Sequence, residues 1–162
     1  MKITPKILIK DYEEEDAMQL VCIYFNTIHN INIKDYSSEQ INAWAPSSSL
    51  ETAGWVRKWK NIPPIVAMIN QQAVGFAEFE TNGHIDCFYC HHEFQGLGIG
   101  TVLMKAIENR AKKNHINRIF AEVSITARPF FEAKGFTIVK QQTVTIRGID
   151  LINFMMEKIL IK

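Results

Sequence analysis

The sequence predicts an α+β fold with a mixed, mostly antiparallel central sheet and flanking helices. Three observations predict it. Short strand-like runs at 65–69, 73–80 and 84–90 follow one another across turn signals, Asn70-Gln71-Gln72 and Asn82-Gly83, which is the pattern of an antiparallel meander. A long amphipathic segment follows, with Ile99, Val102, Leu103, Ala106, Ile107 and Ala111 at the helical period. Two further strand-like runs, joined at Arg147-Gly148, close the chain.

The elements follow in order. Residues 3–10 read as an edge strand, because Pro5 has no N–H to give a central ladder. The acidic run Asp11 to Asp16 suits a solvated helix start, with Asp11 as cap. That helix runs to about Thr27 with Ala17, Leu20, Val21, Tyr24 and Phe25 on one face. Residues 28–61 are irregular and aromatic. Ser37 or Ser38 caps a short helix through Trp44, and a second one spans about Leu50 to Lys60 with Trp55 and Trp59. After the meander and the long helix to about Lys113 come a strand, 116–123, and a short helix, 128–134, ended by Gly135. Strands at about 136–146 and 151–159 complete the order.

The chain has 162 residues, which suits one domain spanning 1–162. Lys and Arg number 18, Asp and Glu 17, and the net charge is +1. That balance excludes a generic polyanion binder, so no nucleic acid is expected. No apolar run approaches the ~18 residues of a membrane span, and residues 1–16 do not read as a signal peptide. Three cysteines point to reduced thiols and a cytoplasmic setting. Cys87-Phe88-Tyr89-Cys90 forms a C-x-x-C near His84, His91 and His92. Positions three apart on a strand face opposite ways, however, so one metal does not meet both thiols, and no metal is expected.

The sharpest chemical signal is Gln95-Gly96-Leu97-Gly98-Ile99-Gly100-Thr101 between a strand and a helix. Such a turn leaves backbone N–H groups unpaired at the positive end of the helix dipole, an anion site suited to phosphate. Glycines let the phosphate approach without meeting a Cβ. The spacing is not that of a P-loop, which ends in Gly-Lys-Ser/Thr, nor that of the dinucleotide G-x-G-x-x-G.

The surrounding residues resemble the GNAT (GCN5-related) N-acetyltransferase family. Gln95, Gly98 and Gly100 match its Gln/Arg-x-x-Gly-x-Gly/Ala motif. Phe88 to Gln95 looks like its hydrophobic-Tyr-Val-His-Pro-x-x-Gln strand end. Ala127-Arg128-Pro129-Phe130-Phe131-Glu132-Ala133-Lys134-Gly135-Phe136 looks like its Ala-x-x-Phe-Tyr-x-x-x-Gly-Phe. Within the family the chain looks most similar to the bacterial YafP-like acetyltransferases.

The resemblance implies the GNAT-like acyl-CoA N-acyltransferase fold and acetyl-CoA as co-substrate. The amides of Gly96, Leu97, Gly98, Ile99 and Gly100 would hold the pyrophosphate, with the Thr101 hydroxyl beside them. The pantetheine arm would lie between two splayed strands, near Phe88, Tyr89, Cys90, Ser124, Ala127 and Phe131. The Cys90 N–H would polarise the thioester carbonyl. Ser124 stands where the family often has Asn. Phe131 stands at its frequent Tyr position and has no hydroxyl to donate to the leaving thiolate; Tyr89, Ser124, Thr126 or water would serve instead.

A base must take a proton from the attacking amine. Candidates are Asp86, as base or amine anchor, and Glu78. By strand alternation Asp86 shares a face with Phe88 and Cys90. Tyr24, His29 and Trp44 lie in the half where the family builds its acceptor pocket. The expected reaction is direct acetyl transfer to a primary amine, of a small molecule. The alternatives are a protein or peptide N-acetyltransferase and a non-catalytic acyl-CoA sensor. The family's members are often dimers, so a homodimer is a possible partner state.

Overall fold

The computed structural model describes residues 4–160. Its elements are β1 (Ile7–Asp11), α1 (Ala17–Asn30), α2 (Ser38–Trp44), α3 (Thr52–Asn61), β2 (Ile65–Ile69), β3 (Gln72–Phe79), β4 (Ile85–Cys90), α4 (Ile99–Lys113), β5 (Arg118–Ser124), α5 (Arg128–Ala133), β6 (Thr137–Ile146) and β7 (Ile149–Ile159). The order is the expected one. The first residue of the expected edge strand, Ile3, lies outside the described residues.

The acidic run before α1 is used differently from expectation. Asp11 ends β1, opposite Ile65, and is not the cap. A 3₁₀ turn, Glu14–Asp16, leads into α1, and Asp16 accepts from the Glu13 N–H at 2.9 Å. Asp16 is buried and ion-paired to Lys10 at 2.9 Å, so one member of the run is a paired internal charge rather than a solvated one. At α2 the structure selects Ser37 as cap: its side chain accepts from Gln40 N–H, and the Gln40 side chain accepts from Ser37 N–H.

The strands form two antiparallel sheets, β1-β2-β3-β4 and β5-β7-β6. The mixed character of the expected sheet resides in one parallel bridge, His84 to Phe120, reinforced by Phe120 N–H donating to Gly83 carbonyl at 3.0 Å. Beyond that pinch β4 and β5 diverge. A shared core holds the halves together. Leu103, Met104, Ile107 and Ala111 of α4 pack on Ile65, Ala67, Val74 and Ala77 of one sheet and on Ile119, Ala121, Val123, Phe154 and Met156 of the other. Gly75 allows this approach: a Cβ there would lie 2.8 Å from Ile99 Cγ2. On the opposite face α1 and α3 cover the first sheet through Leu20, Val21, Trp59, Phe76 and Cys87, and α2 leans on β7 through Ile41 and Leu151. Trp59 is therefore a core residue. No helix among the described residues is long and apolar enough to cross a membrane.

His84 pins the pinch. Its Nε2 lies 2.6 Å from Glu122 Oε2 on β5, its Nδ1 lies 3.4 Å from Glu80 Oε1, and its ring packs on Phe120. Asp86 also comes within 4.8 Å. Burial works against the imidazolium, but the hydrogen bonds and charges of Glu122 and Glu80 outweigh it and raise the pKa above 6.5. A pKa raised by folding gives stability that is complete below the unfolded value and lost as pH rises through the folded one. The protein is therefore expected to lose stability as pH climbs above about 6.5, and His84→Gln to flatten that slope. Urea midpoints across the window test this. An unchanged slope in the variant would assign it to another group.

Candidate active site

The divergence of β4 from β5 opens a cleft of about 420 Å³. Its walls are Ile85, Asp86, Phe88, Tyr89 and Cys90 on one side and Ala121, Glu122, Val123 and Ser124 on the other. The α4 turn, Gly96 to Thr101, closes one end; Thr27, Asn32 and Trp44 lean in from the N-terminal half.

The glycines of the turn serve two different purposes. Gly96 and Gly98 have φ of +76° and +86°, conformations that most side chains resist. Among the described residues nothing lies within 4 Å of where their Cβ atoms would be, so the backbone there is open to an approaching group. Gly100 is different. A Cβ on it would lie 2.9 Å from the Phe130 ring, so this glycine serves packing between α4 and α5, not anion approach. Ile99 is buried in the core, which leaves its main chain as the part available to a ligand. The first helical bond of α4 is Val102 N–H to Gly98 carbonyl, at 3.1 Å. Helix geometry gives the amides ahead of Val102 no acceptor within α4, and they stand at the positive end of its dipole. Leu97 is exposed and outside the cleft lining.

The end of β4 is held from three sides. In the ladder with β3, His91 N–H donates to Val74 carbonyl at 2.8 Å. Strand alternation then turns the backbone of Cys90 and Phe88 the other way, toward the gap. The Cys90 carbonyl accepts from Thr27 Oγ1 at 2.8 Å and from Gln95 Nε2 at 3.0 Å. Gln95 also donates to the His91 carbonyl. Gln95 thus acts on the shape of the turn. Thr27 escaped the sequence reading, although a polar residue in register with Leu20 and Tyr24 on a core-facing stripe signals a buried hydroxyl seeking an acceptor.

Asp86 corrects the alternation argument. Phe79 pairs with Ile85 and Glu78 with Cys87, so Asp86 is the extra residue of a β-bulge. The bulge leaves Ile85 and Phe88 on the α4 side and brings Asp86 to the same side as Cys87, with Glu78, Asp86 and Cys87 placing acceptor or thiol atoms within 4.8 Å of one another. Lys58 of α3 stands in their midst, 2.7 Å from Glu78 Oε1 and 2.7 Å from Asp86 Oδ2. Glu78 is 1% exposed, while Asp86 is exposed and lines the cleft. Burial, then the Glu78 carboxylate, pushes the Cys87 thiol well above its ordinary pKa of 9.0. Burial alone pushes Cys90 up to about 12. The two thiols lie in different cores, Cys87 with Trp59 and Cys90 beside α4, as the opposed faces of a strand require.

The remaining expected residues divide. Trp44 lines the cleft. Tyr24 does not: its hydroxyl donates to the Trp44 carbonyl at 3.3 Å and its ring packs edge-on to Trp55 and Tyr89. His29 Nε2 sits 2.7 Å from the Ala45 carbonyl and its ring stacks on Phe25, again behind the wall. The Tyr89 ring packs on Tyr24 and Phe76, on the other face of β4 from Cys90, and burial pushes its hydroxyl well above its ordinary pKa. Phe131 is in the core against Phe88, Phe130 and Phe136. Ser124 Oγ accepts from Ala127 N–H at 3.0 Å and from Asn32 Nδ2 at 3.3 Å. Asn32 is a buried cleft residue that no local pattern announced. Ala127 and Thr126 complete the floor, and the Thr126 hydroxyl donates to Asp35 at 2.7 Å.

Residues 32–158 match the family model described as Acetyltransferase (GNAT) domain. The chain is 33% identical over 150 residues to the uncharacterized N-acetyltransferase YafP of Escherichia coli K12, covering 93% of this chain and 94% of that one. It superimposes on a GCN5-related N-acetyltransferase from Rhodopseudomonas palustris with a TM-score of 0.91, at 29% identity and 99% coverage of both. It shares its fold with the PaiA N-acetyltransferase of Thermoplasma acidophilum, solved with coenzyme A, at a TM-score of 0.75, 21% identity and coverage of 95% and 99%.

Proposed function

Since the chain belongs to the GNAT family of acetyltransferases, we propose that it moves the acetyl group of acetyl-CoA directly to a primary amine of a small molecule. The observation that carries this reading is the open, left-handed glycine turn at the head of α4, set against a cleft made by two strands that part after one bridge. A cradle with no Cβ over it suits a pyrophosphate. A gap lined by strand backbone suits an extended amide-bearing arm.

In this reading the amides from Gly96 to Thr101 hold the phosphates. The Phe88 backbone groups turned to the gap pair with the pantetheine arm, and the Cys90 N–H polarises the acetyl carbonyl. Acetyl-CoA supplies an activated acyl group as a thioester. Asp86 receives the acceptor: Lys58 takes its Oδ2, which leaves Oδ1 for the amine or for the water that deprotonates it. Glu78, behind it, sets the charge of the trio rather than meeting substrate. Among the described residues Asp86 and Glu122 are the charged side chains of the lining, and both are acidic, which favours an acceptor that arrives as an ammonium ion. Trp44 offers that acceptor an aromatic wall. The free cysteines suit a reducing cytoplasm. A second reading, an acyl-CoA sensor without turnover, draws on Phe131, whose ring brings no hydroxyl to the cleft.

Two measurements separate these readings. Acetyl-CoA is expected to raise the melting temperature, because a ligand bound only by the folded state stabilises it. Release of free CoA thiol over a panel of amines, amino acids and peptides is expected to find a small amine that supports turnover. Stabilisation with no turnover on any acceptor would favour the sensor, and the absence of stabilisation would overturn both.

A further inference from the structure

The Ser124 hydroxyl has only one thing left to give. A hydroxyl carries two lone pairs and one proton. Both lone pairs of Ser124 Oγ are engaged, by Asn32 Nδ2 at 3.3 Å and by Ala127 N–H at 3.0 Å. Its proton has no acceptor among the described residues, and the residue lines the cleft. Two neighbouring hydroxyls are spent. Thr27 donates to the Cys90 carbonyl and Thr126 to Asp35. Tyr89 lies on the other face of β4 from Cys90, its ring against Tyr24 and Phe76, and Thr101 sits at the far end, on the first turn of α4. Phe131 has no hydroxyl. Cys90 and Ser124 end the two strands that part, so a thioester carbonyl at the Cys90 N–H has Ser124 on the opposite wall.

We propose that Ser124 is the hydrogen-bond donor to the sulfur that leaves during transfer, and that Asn32 is the positioning residue that aims it; this rests on the cleft being the acetyl-CoA site. In the transfer the amine nitrogen forms its bond to the acetyl carbon, the carbon–sulfur bond breaks, and its electron pair leaves on sulfur. The proton lost by the amine goes to Asp86 or to water. Ser124 keeps its own proton, because an alcohol is a far weaker acid than a thiol of pKa about 8.5. Its part is a charge-assisted hydrogen bond to the thiolate, which takes a proton from solvent after release. Asn32 comes from the segment after α1, 92 residues away, and is buried. Its amide and the Ala127 N–H together fix where the serine proton cannot go.

The test reads the sulfur itself. CoA is bound to the protein and the ultraviolet absorbance of its thiolate is followed against pH. A donor on the sulfur lowers the bound thiol's pKa, and Ser124→Ala is expected to raise it back by about one unit. Ser124→Thr, which keeps the hydroxyl, should stay near wild type. Asn32→Ala should give a partial rise, and it leaves the Ala127 bond in place if Ser124→Ala folds poorly. Ser124→Ala is also expected to cut kcat about tenfold with KM for acetyl-CoA within about twofold. A bound-thiol pKa that is the same in wild type, Ser124→Ala and Asn32→Ala would overturn the inference while leaving the acetyl-CoA site standing. Failure of the wild-type protein to bind CoA at all would instead remove the site on which the inference depends.

Discussion

Gly98→Asp is expected to abolish the thermal stabilisation given by acetyl-CoA, whereas Gly98→Asn keeps a good part of it. The two side chains have nearly the same shape and both tolerate the left-handed backbone that Gly98 adopts, φ +86°. Neither meets an obstacle among the described residues, where no atom lies within 4 Å of the Cβ position. They differ in one charge. An anionic group at a helix N-terminus favours the unliganded helix, so Gly98→Asp does not lose binding by unfolding. Against a phosphate about 4 Å away the same charge costs on the order of 4 kcal/mol at a surface-like dielectric. That is about a thousandfold in affinity. Acetyl-CoA at about 100 times its dissociation constant stabilises wild type by about 2.7 kcal/mol, and this gain would vanish in Gly98→Asp. Equal thermal shifts in the two variants would place the phosphates elsewhere.

The second large effect is on stability. Lys58→Met removes the ammonium that Glu78 and Asp86 share, leaving a carboxylate that is 1% exposed among Trp59, Phe76 and Cys87. Removing one partner of a fully buried pair costs about 3–5 kcal/mol. The Lys58 side chain is 40% exposed, so water reaches this pair and the lower end, about 3 kcal/mol, is expected. In a chain of this length that lowers Tm by roughly 6–12 °C. Adding Glu78→Gln removes the stranded charge and should return more than half of the loss, a coupling that urea denaturation of both single variants and the double one would measure. A Lys58→Met variant within about 0.5 kcal/mol of wild type would mean that Glu78 has another source of charge compensation.

The parts of the site legible in the sequence are those written in consecutive residues. The turn from Gln95 to Thr101, the helix behind it and the Asn82-Gly83 hairpin all depend on local backbone chemistry, and local chemistry is what a sequence displays. Asp86 shows the limit. Its face follows from a bulge, and a bulge is a mismatch in register between two strands, invisible in either strand alone. Lys58, Thr27 and Asn32 show another limit: they sit 28, 63 and 92 residues from the partners they engage. Nothing in the polarity of a lone Asn between two isoleucines tells which distant hydroxyl it will hold. Tyr24 and His29 lie behind the cleft wall rather than in it, and an aromatic residue in either place looks the same in a sequence. Gln95 is singled out by its place in a family motif, whereas the work of its amide on the Cys90 and His91 carbonyls is visible only in the folded turn.

The single parallel bridge between the half-sheets has a consequence for selection. Strands that begin side by side could continue so, and zipping β4 to β5 would satisfy backbone groups that now face a gap. The native chain forgoes that gain to keep a slot of strand width open. Substitutions chosen only for thermal stability would drift toward closing it. A library ranked by melting temperature alone would then enrich proteins that are sturdier and idle, with the change concentrated at the bulge and at the ends of these two strands.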